Sequence, residues 1–277
     1  MNKAFVLAAW CAVAILALPL FQCRSRERDF VLVMGSTTLA PVIRSAAELH
    51  WAKKPGMYRV ESQGSHSGIL SLLEGRCDIA GSSVPITDME MDIARARGVE
   101  IREYVIAHDM IVPIVNPANP VVNLGLDTLR GIYNGSIRNW KDTGGADLPV
   151  KLVARDFKSG TKDVWRRLVT QSEGVEGVIE KPSGSAVIAE VAHDAGAIGY
   201  VSFSSINNRV KAMKVDGIAP TIENGIKGTY RMKRPLYLYV DGKKVSPEAR
   251  NFIVFLKGRE GQRIIRQGGL IPLPGGE

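Results

Sequence analysis

The chain has 277 residues, of which 45% are hydrophobic and 23% are charged. This composition predicts a globular protein with a core large enough for two lobes, and it excludes an intrinsically disordered chain. The formal net charge of +8 suits an anionic ligand, an anionic membrane surface or a nucleic acid, so the sign alone does not choose between them. Because the sequence has neither zinc-finger spacing nor a basic cluster interleaved with aromatic residues, we expect no nucleic-acid partner.

The N-terminal segment predicts export. Lys3 precedes an uncharged, mostly apolar run over residues 4–20, an arrangement typical of a secretory signal. We therefore predict a signal peptide over residues 1–22 and a short polar tether over residues 23–29. The expected location is extracytoplasmic, either periplasmic or at the cell surface.

The three cysteines predict a lipid attachment site and no internal disulfide. Cys23 resembles the cysteine of a lipoprotein processing box, although Gln22 stands where that box prefers a small residue. Lipid attachment at Cys23 would anchor the protein to the membrane, with simple cleavage and an uncleaved signal anchor as the alternatives. Cys11 lies within the signal, which leaves Cys77 alone in an apolar stretch, as a small buried hydrophobic residue.

Three short segments rich in Ser, Thr and Gly each follow a predicted strand and stand where a helix should begin. Helix starts favour anions, because their first amides have no partner within the helix and the helix dipole is positive there. Arg155 lies shortly before the third segment and can hold an oxyanion through two parallel N–H bonds. The alternative interpretation of each segment is an ordinary N-cap. The segments are residues 35–38, 64–68 and 159–161, and the strands before them are residues 30–34, 58–63 and 150–154.

The remaining pattern alternates between strands and helices, which predicts an α/β fold. Residues 116–120 contain two Asn-Pro pairs and predict a change of lobe, and a second break is expected over residues 217–235. We interpret most of the charge as solvated surface, and the densest basic clusters lie within residues 24–28 and 227–234. Three tryptophans are expected in the core. Further predicted strands cover residues 99–106, 110–115 and 197–201, further predicted helices residues 127–133 and 163–170, and the tryptophans are Trp51, Trp140 and Trp165.

Six segments, in order along nearly the whole mature chain, resemble the phosphate-binding subunits (PstS-type) of bacterial phosphate ABC importers. The segments are GSTTLAP at 35–41, GSHSG at 64–68, CDIAGSS at 77–83, LRGIYNG at 129–135 with Trp140, RDFKSGT at 155–161 and GAIGYV at 196–201. The resemblance implies a two-lobed periplasmic-binding-protein fold of type II with the ligand in the cleft between the lobes. It also implies capture of inorganic phosphate and its delivery to a permease.

The resemblance further implies which residues contact phosphate. They are Thr37, Thr38 through its amide, Ser65, Ser83, Arg155, Ser159, Gly160 and Thr161. Many members of the family have an Asp at the position of Ser83, where it accepts the proton of hydrogen phosphate, which sulfate lacks. The family's arginine is also expected to have a carboxylate partner two residues later, where this chain has Phe157, and Asp156 is the candidate replacement.

The division into lobes also follows from the resemblance. A discontinuous first lobe is expected over residues 30–112 and 226–277, and a second lobe over residues 113–225. Two strands crossing between the lobes would form the hinge on which they close.

The motifs that resemble enzyme sites lack the residue order or spacing that those sites require. Residues 64–68 have His66 where a nucleophile elbow needs Ser, and residues 159–162 do not follow the order of a phosphate-binding P-loop. The four histidines show no metal-ligand spacing, and we expect most of them to be surface or capping residues. We therefore expect no enzyme activity, metal or cofactor. The alternatives to phosphate import are binding of another tetrahedral oxyanion such as sulfate, and phosphate sensing at the membrane.

Overall fold

The structure is a computed structural model that describes residues 29–171 and 176–275. The predicted signal peptide, Cys23 and the tether up to residue 28 lie outside these residues. Within the described ranges, no helix is both long enough and apolar enough to cross a membrane.

Strands and helices alternate along most of the chain, as the sequence predicts. The strands are β1 Val31–Gly35, β2 Tyr58–Ser62, β3 Ile79–Ser82, β4 Ile101–Val115, β5 Asn123–Leu124, β6 Lys151–Arg155, β7 Ile179–Lys181, β8 Ala197–Ser202, β9 Lys211–Ala212, β10 Lys214–Val215 and β11 Lys233–Asp241. The helices are α1 Ala40–His50, α2 Ser65–Leu73, α3 Asp88–Ala96, α4 Leu126–Tyr133, α5 Gly160–Trp165, α6 Gly184–His193, α7 Ile222–Lys227, α8 Pro247–Lys257 and α9 Arg259–Gln267. A π-helical turn, Arg166–Thr170, continues α5.

One long strand connects two sheet regions. The strand order is β2-β1-β3-β11-β4-β8-β6-β7, with β9 also paired to β4. Parallel pairs join β1 to β2 and β3 at one end and β6 to β7 and β8 at the other, whereas β11 and β4 run antiparallel in the middle. Residues 101–110 of β4 pair with β11, and residues 111–115 pair with β8.

The apolar residues form separate cores on the two sides of the crossing strands. Helices α1, α2, α8 and α9 pack around the strands of the first lobe, and α4, α5 and α6 pack around those of the second. Trp51 is buried in the first core, while Trp140 and Trp165 are buried in the second, which confirms their expected core positions. Cys77 is buried, as expected.

The chain changes lobe within its strands. In β4, Ala107 belongs to the first core and Met110 to the second, and on the return Met232 belongs to the second core and Leu236 to the first. The expected change at residues 116–120 is therefore wrong, because the two predicted β runs before it form one continuous strand. The lobe boundaries after residue 112 and before residue 226 stay a proposal.

Candidate anion-binding site

The three Ser/Thr/Gly segments meet in one cleft. They connect β1 to α1, β2 to α2 and β6 to α5, and parallel strands place such turns together at the carboxyl edges of their sheets. Nη1 of Arg155 donates to Oγ1 of Thr37 at 3.2 Å, although 118 residues separate them. The structure therefore brings a turn of the first lobe against a strand of the second.

Arg155 is a buried cation, only 3% exposed. Its Nε donates to the carbonyl of Lys181 at 3.2 Å and its Nη2 to that of Pro182 at 2.8 Å, so two backbone acceptors fix the plane of the guanidinium. Burial lowers its pKa, because a low-dielectric environment disfavours charge. Within the described part of the chain no carboxylate pairs with Arg155. An anion from outside the protein would stabilise this buried charge.

Neither residue after Arg155 is its ion-pair partner. Phe157 is 75% exposed and belongs to the surface. Asp156 lies close enough to Arg155 to favour its charged form electrostatically, but forms no ion pair with it among the described residues. One oxygen of Asp156, Oδ1, is buried without a hydrogen-bond partner in that part of the chain.

A chain of hydroxyl groups lies beside the arginine. Oγ of Ser36 accepts the amides of Thr38 at 3.2 Å and Leu39 at 3.4 Å, and lies 2.5 Å from Oγ of Ser83. The Thr38 amide, expected on the ligand, is thus engaged by Ser36 in this structure. Oγ of Ser65 accepts the amide of Ser83 at 3.0 Å. Ser36 lies in the first Ser/Thr/Gly segment but was not among the predicted ligand residues, and in the structure its side chain accepts amides of the turn before α1.

The start of α5 supplies the third group of donors. The side chain of Ser159 accepts the amide of Lys162 at 3.4 Å and so caps the helix. The amides of Gly160 and Thr161 are the first two of the helix and have no acceptor within it. Thr161 is buried and lines the cleft cavity together with Thr37, Thr38 and Arg155. This cavity has a volume of about 510 Å³.

A second buried arginine, Arg234, also reaches the site. Its Nη2 donates to Oδ2 of Asp109 at 2.8 Å and to Oγ1 of Thr38 at 3.3 Å. The other carboxylate oxygen of Asp109 accepts the hydroxyl of Ser202 at 2.7 Å. Arg234 belongs to a basic cluster of the sequence but is an exception to the expected solvated charge, since the residue is 1% exposed. Only its place in a crossing strand hinted at the burial.

Two glycines allow the lobes to approach. A Cβ on Gly64 would lie 2.4 Å from the carbonyl oxygen of Lys158, and a Cβ on Gly160 would lie 2.7 Å from Oγ of Ser65. Gly64 also has a φ of +105°, which residues with a side chain rarely adopt. The turns before α2 and α5 are therefore in van der Waals contact across the cleft, next to the candidate ligand groups.

The comparisons with known proteins show the family of this chain. Residues 24–260 match the family described as the PBP superfamily domain. The phosphate-binding protein PstS of Bacillus subtilis is 30% identical over 245 residues, which cover 87% of this chain and 80% of that protein. The chain belongs to the PstS family of phosphate-binding proteins. PstS of Borreliella burgdorferi is 28% identical over 98% of this chain and 99% of its own length.

Solved structures of PstS-type proteins have the same fold. A Clostridium perfringens structure, titled as a phosphate ABC transporter substrate-binding protein with bound phosphate, superposes with a TM-score of 0.82 at 32% identity, covering 88% of this chain and 99% of that one. An ABC-type phosphate transport receptor from Vibrio cholerae gives a TM-score of 0.72 at 30% identity, covering 88% and 100%. The predicted two-lobed, type II periplasmic-binding-protein fold is thereby confirmed.

No group of three potential metal ligands occurs among residues 29–171 and 176–275. The protein is a member of a solute-binding family rather than of an enzyme family.

Replacing Gly160 with Ala should weaken phosphate binding. The added methyl group would overlap Oγ of Ser65, which the amide of Ser83 holds in place, and overpacking of this kind costs about 1–3 kcal/mol. We expect the dissociation constant measured by calorimetric titration to rise by about 5- to 150-fold. The control is Gly184→Ala at the start of α6, in the same cleft, where the nearest atom would lie at an ordinary 3.6 Å. Equal affinities of the two variants would contradict the close approach.

Proposed function

We propose that this protein captures inorganic phosphate in the cleft between its lobes and delivers it to an ABC-type permease in the membrane. The observation that carries the proposal is the buried Arg155, fixed by two carbonyls and left without a carboxylate partner among the described residues. The names of the relatives from Bacillus subtilis and Borreliella burgdorferi support phosphate as the anion.

Each of three hydroxyls beside the cleft already accepts a hydrogen bond from the protein. Thr37 accepts from Arg155, Thr38 from Arg234 and Ser65 from the Ser83 amide. Because a hydroxyl has one proton to donate, accepting from the protein leaves that proton available for an oxyanion. We infer that these hydroxyls, with the amides of Gly160 and Thr161 and the hydroxyls of Ser83, Ser159 and Thr161, surround phosphate while Arg155 supplies the charge.

Sulfate is a second candidate ligand because of the bonding of Ser83. Oγ of Ser36 accepts two amides, so its own proton is directed to Oγ of Ser83 and the Ser83 proton remains for the ligand. A donor at this position suits a fully ionised anion as well as hydrogen phosphate. The nearby Asp109 is engaged by Arg234 and Ser202, so it does not replace the carboxylate that Ser83 lacks.

We also propose that the protein works outside the cytoplasm, attached to the membrane through a lipid on Cys23. The family consists of binding proteins for import, which implies export. Labelling of the intact chain with a fatty acid should be lost in Cys23→Ala. Equal labelling of the variant would overturn the lipid assignment and leave export untouched.

Arg155→Ala should weaken phosphate binding by about 10- to 150-fold, because a hydrogen bond between a charged group and its partner contributes about 1.5–3 kcal/mol. Calorimetric titration of protein freed of bound anion measures the change. Arg263→Ala is the matched control, because that arginine is exposed on α9 and pairs with Glu260. Normal affinity in Arg155→Ala would remove this residue from the site and, with it, the main support for the proposal.

Ser83→Asp should raise the preference for phosphate over sulfate. The new carboxylate would accept the proton of hydrogen phosphate and repel sulfate, which has none to offer. Titration of both anions at neutral pH gives the ratio of affinities, with Ser83→Asn as a neutral control of similar size. An unchanged ratio in Ser83→Asp would show that Ser83 does not face the ligand.

A further inference from the structure

His66 lies between two carboxylates that belong to opposite sides of the cleft. Its Nδ1 is 2.8 Å from Oε1 of Glu90, and its Nε2 is 2.5 Å from Oδ2 of Asp163. His66 lies in the first turn of helix α2 and Glu90 lies on α3, both packed in the first lobe, whereas Asp163 lies on α5 in the second. Most of the histidines were expected to be surface or capping residues, and His66 is an exception because it bridges two carboxylates.

The ring of His66 must be doubly protonated to donate to both carboxylates. The hydrogen bonds to Asp163 and then to Glu90 raise its pKa from the ordinary 6.5 to about 10, against the opposing effect of burial. His66 is therefore an imidazolium at neutral pH in this arrangement. Burial opposes the charge of Glu90, but the bond from His66 and those from Thr87 together lower the pKa of Glu90.

Hydrogen bonds within the first lobe hold Glu90 in position for His66. Oε2 of Glu90 accepts the amide of Thr87 at 2.8 Å and its hydroxyl at 2.9 Å, and the Thr87 hydroxyl accepts the Glu90 amide in return. This capping box holds Glu90, at 5% exposure, in place at the start of α3. Only the bond to Asp163 depends on the position of the second lobe.

Asp163 contacts His66 across the cleft, and other charged residues lie near this bridge. Lys162, beside it on α5, pairs with Glu180. Around the surface depression that Asp163 lines, the further charged residues are Asp88 at the start of α3 and Arg166 and Arg167 in the turn after α5.

We propose that His66 and Asp163 form a proton-dependent clasp that holds the lobes closed over the bound anion. His66 directly follows Ser65, and Asp163 lies two residues after Thr161, so the clasp fixes the starts of α2 and α5 beside the ligand. His66 is thus a positioning residue, acting through the hydroxyls and amides of its neighbours. The inference rests on the proposed function, since it assigns a role in retaining the anion of that site.

The clasp makes anion retention depend on pH. Opening the lobes separates His66 from Asp163, so the open protein binds this proton less tightly than the closed one. The contribution to affinity is complete below the pKa of the open state, declines above it, and is lost as pH rises through the closed-state value of about 10. Alkaline conditions therefore favour opening and release.

A double-mutant cycle on the full chain tests the clasp. His66→Gln and Asp163→Asn should each speed phosphate dissociation by about fivefold or more, typical of coupling between sites, and the double variant should be no faster than either alone. Asp194→Asn is the control, because that carboxylate pairs with Lys151 within the second lobe. Chemical denaturation of each variant confirms that it is folded. Independent, multiplying effects of the two substitutions would overturn the clasp.

The pH dependence of phosphate affinity distinguishes the clasp from a purely structural role of His66, because a structural role would not change with pH. The ratio of the dissociation constant of His66→Gln to that of the unchanged protein should be largest near pH 6.5 and fall toward one near pH 10. Ionisation of phosphate itself cancels in this ratio. A ratio that stays constant across this range contradicts the proposal.

Titration of the histidine ring signals by NMR, assigned with His66→Gln, separates the clasp from the function. In the unchanged chain the His66 signal should titrate far above 6.5, and Asp163→Asn should lower its midpoint by at least one pH unit. An ordinary midpoint in both proteins overturns the clasp even when phosphate binds. If neither phosphate nor sulfate binds, the proposed function fails, and the histidine titration still decides whether the bridge forms.

Discussion

The buried charge of Arg155 is the constraint on which the cleft depends. A guanidinium removed from water needs either an opposite charge or enough polar contacts to offset its lost hydration. Two backbone carbonyls and a threonine hydroxyl satisfy part of its donor capacity. They do not neutralise it, and this unbalanced charge is the reason for the proposal that the cleft binds an anion.

The second arginine shows the opposite solution to the same problem. Arg234 is buried as deeply as Arg155 but is held by Asp109, so the pair adds no net charge to the site. Its effect is positional, because it orients the hydroxyl of Thr38 and reaches the carbonyl of Ser83. One arginine thus supplies charge, and the other arranges neutral donors around that charge.

Several contacts between the lobes lie beside the candidate ligand groups. Gly64 and Gly160 let the two turns touch, Arg155 bonds to Thr37, and His66 joins the helices that begin beside these turns. A ligand between the turns would therefore be held by groups from both lobes. In the proposed function, such a ligand would favour the closed arrangement of the lobes, because groups from both sides of the cleft would contact it.

By itself the sequence determined the class of the fold and the local parts of the site. Alternating strand and helix patterns follow from side-chain periodicity, and the Ser/Thr/Gly turns with Arg155 occupy contiguous segments, so both can be recognised from neighbouring residues. The family motifs are also contiguous segments, and their resemblance predicted the two-lobed arrangement. The sequence divided β4 into two runs, because His108 and Asp109 interrupt its apolar pattern and the partners of Asp109 lie far away in the chain.

Only the tertiary structure decided which distant groups meet. Arg234 pairs with Asp109 across 125 residues and His66 with Asp163 across 97, and no local spacing encodes such contacts. The engagement of Ser36 by Ser83 likewise depends on β1 and β3 lying side by side. Charge in the sequence is a property of each residue, whereas its burial, its pKa and its partner are properties of the folded surroundings.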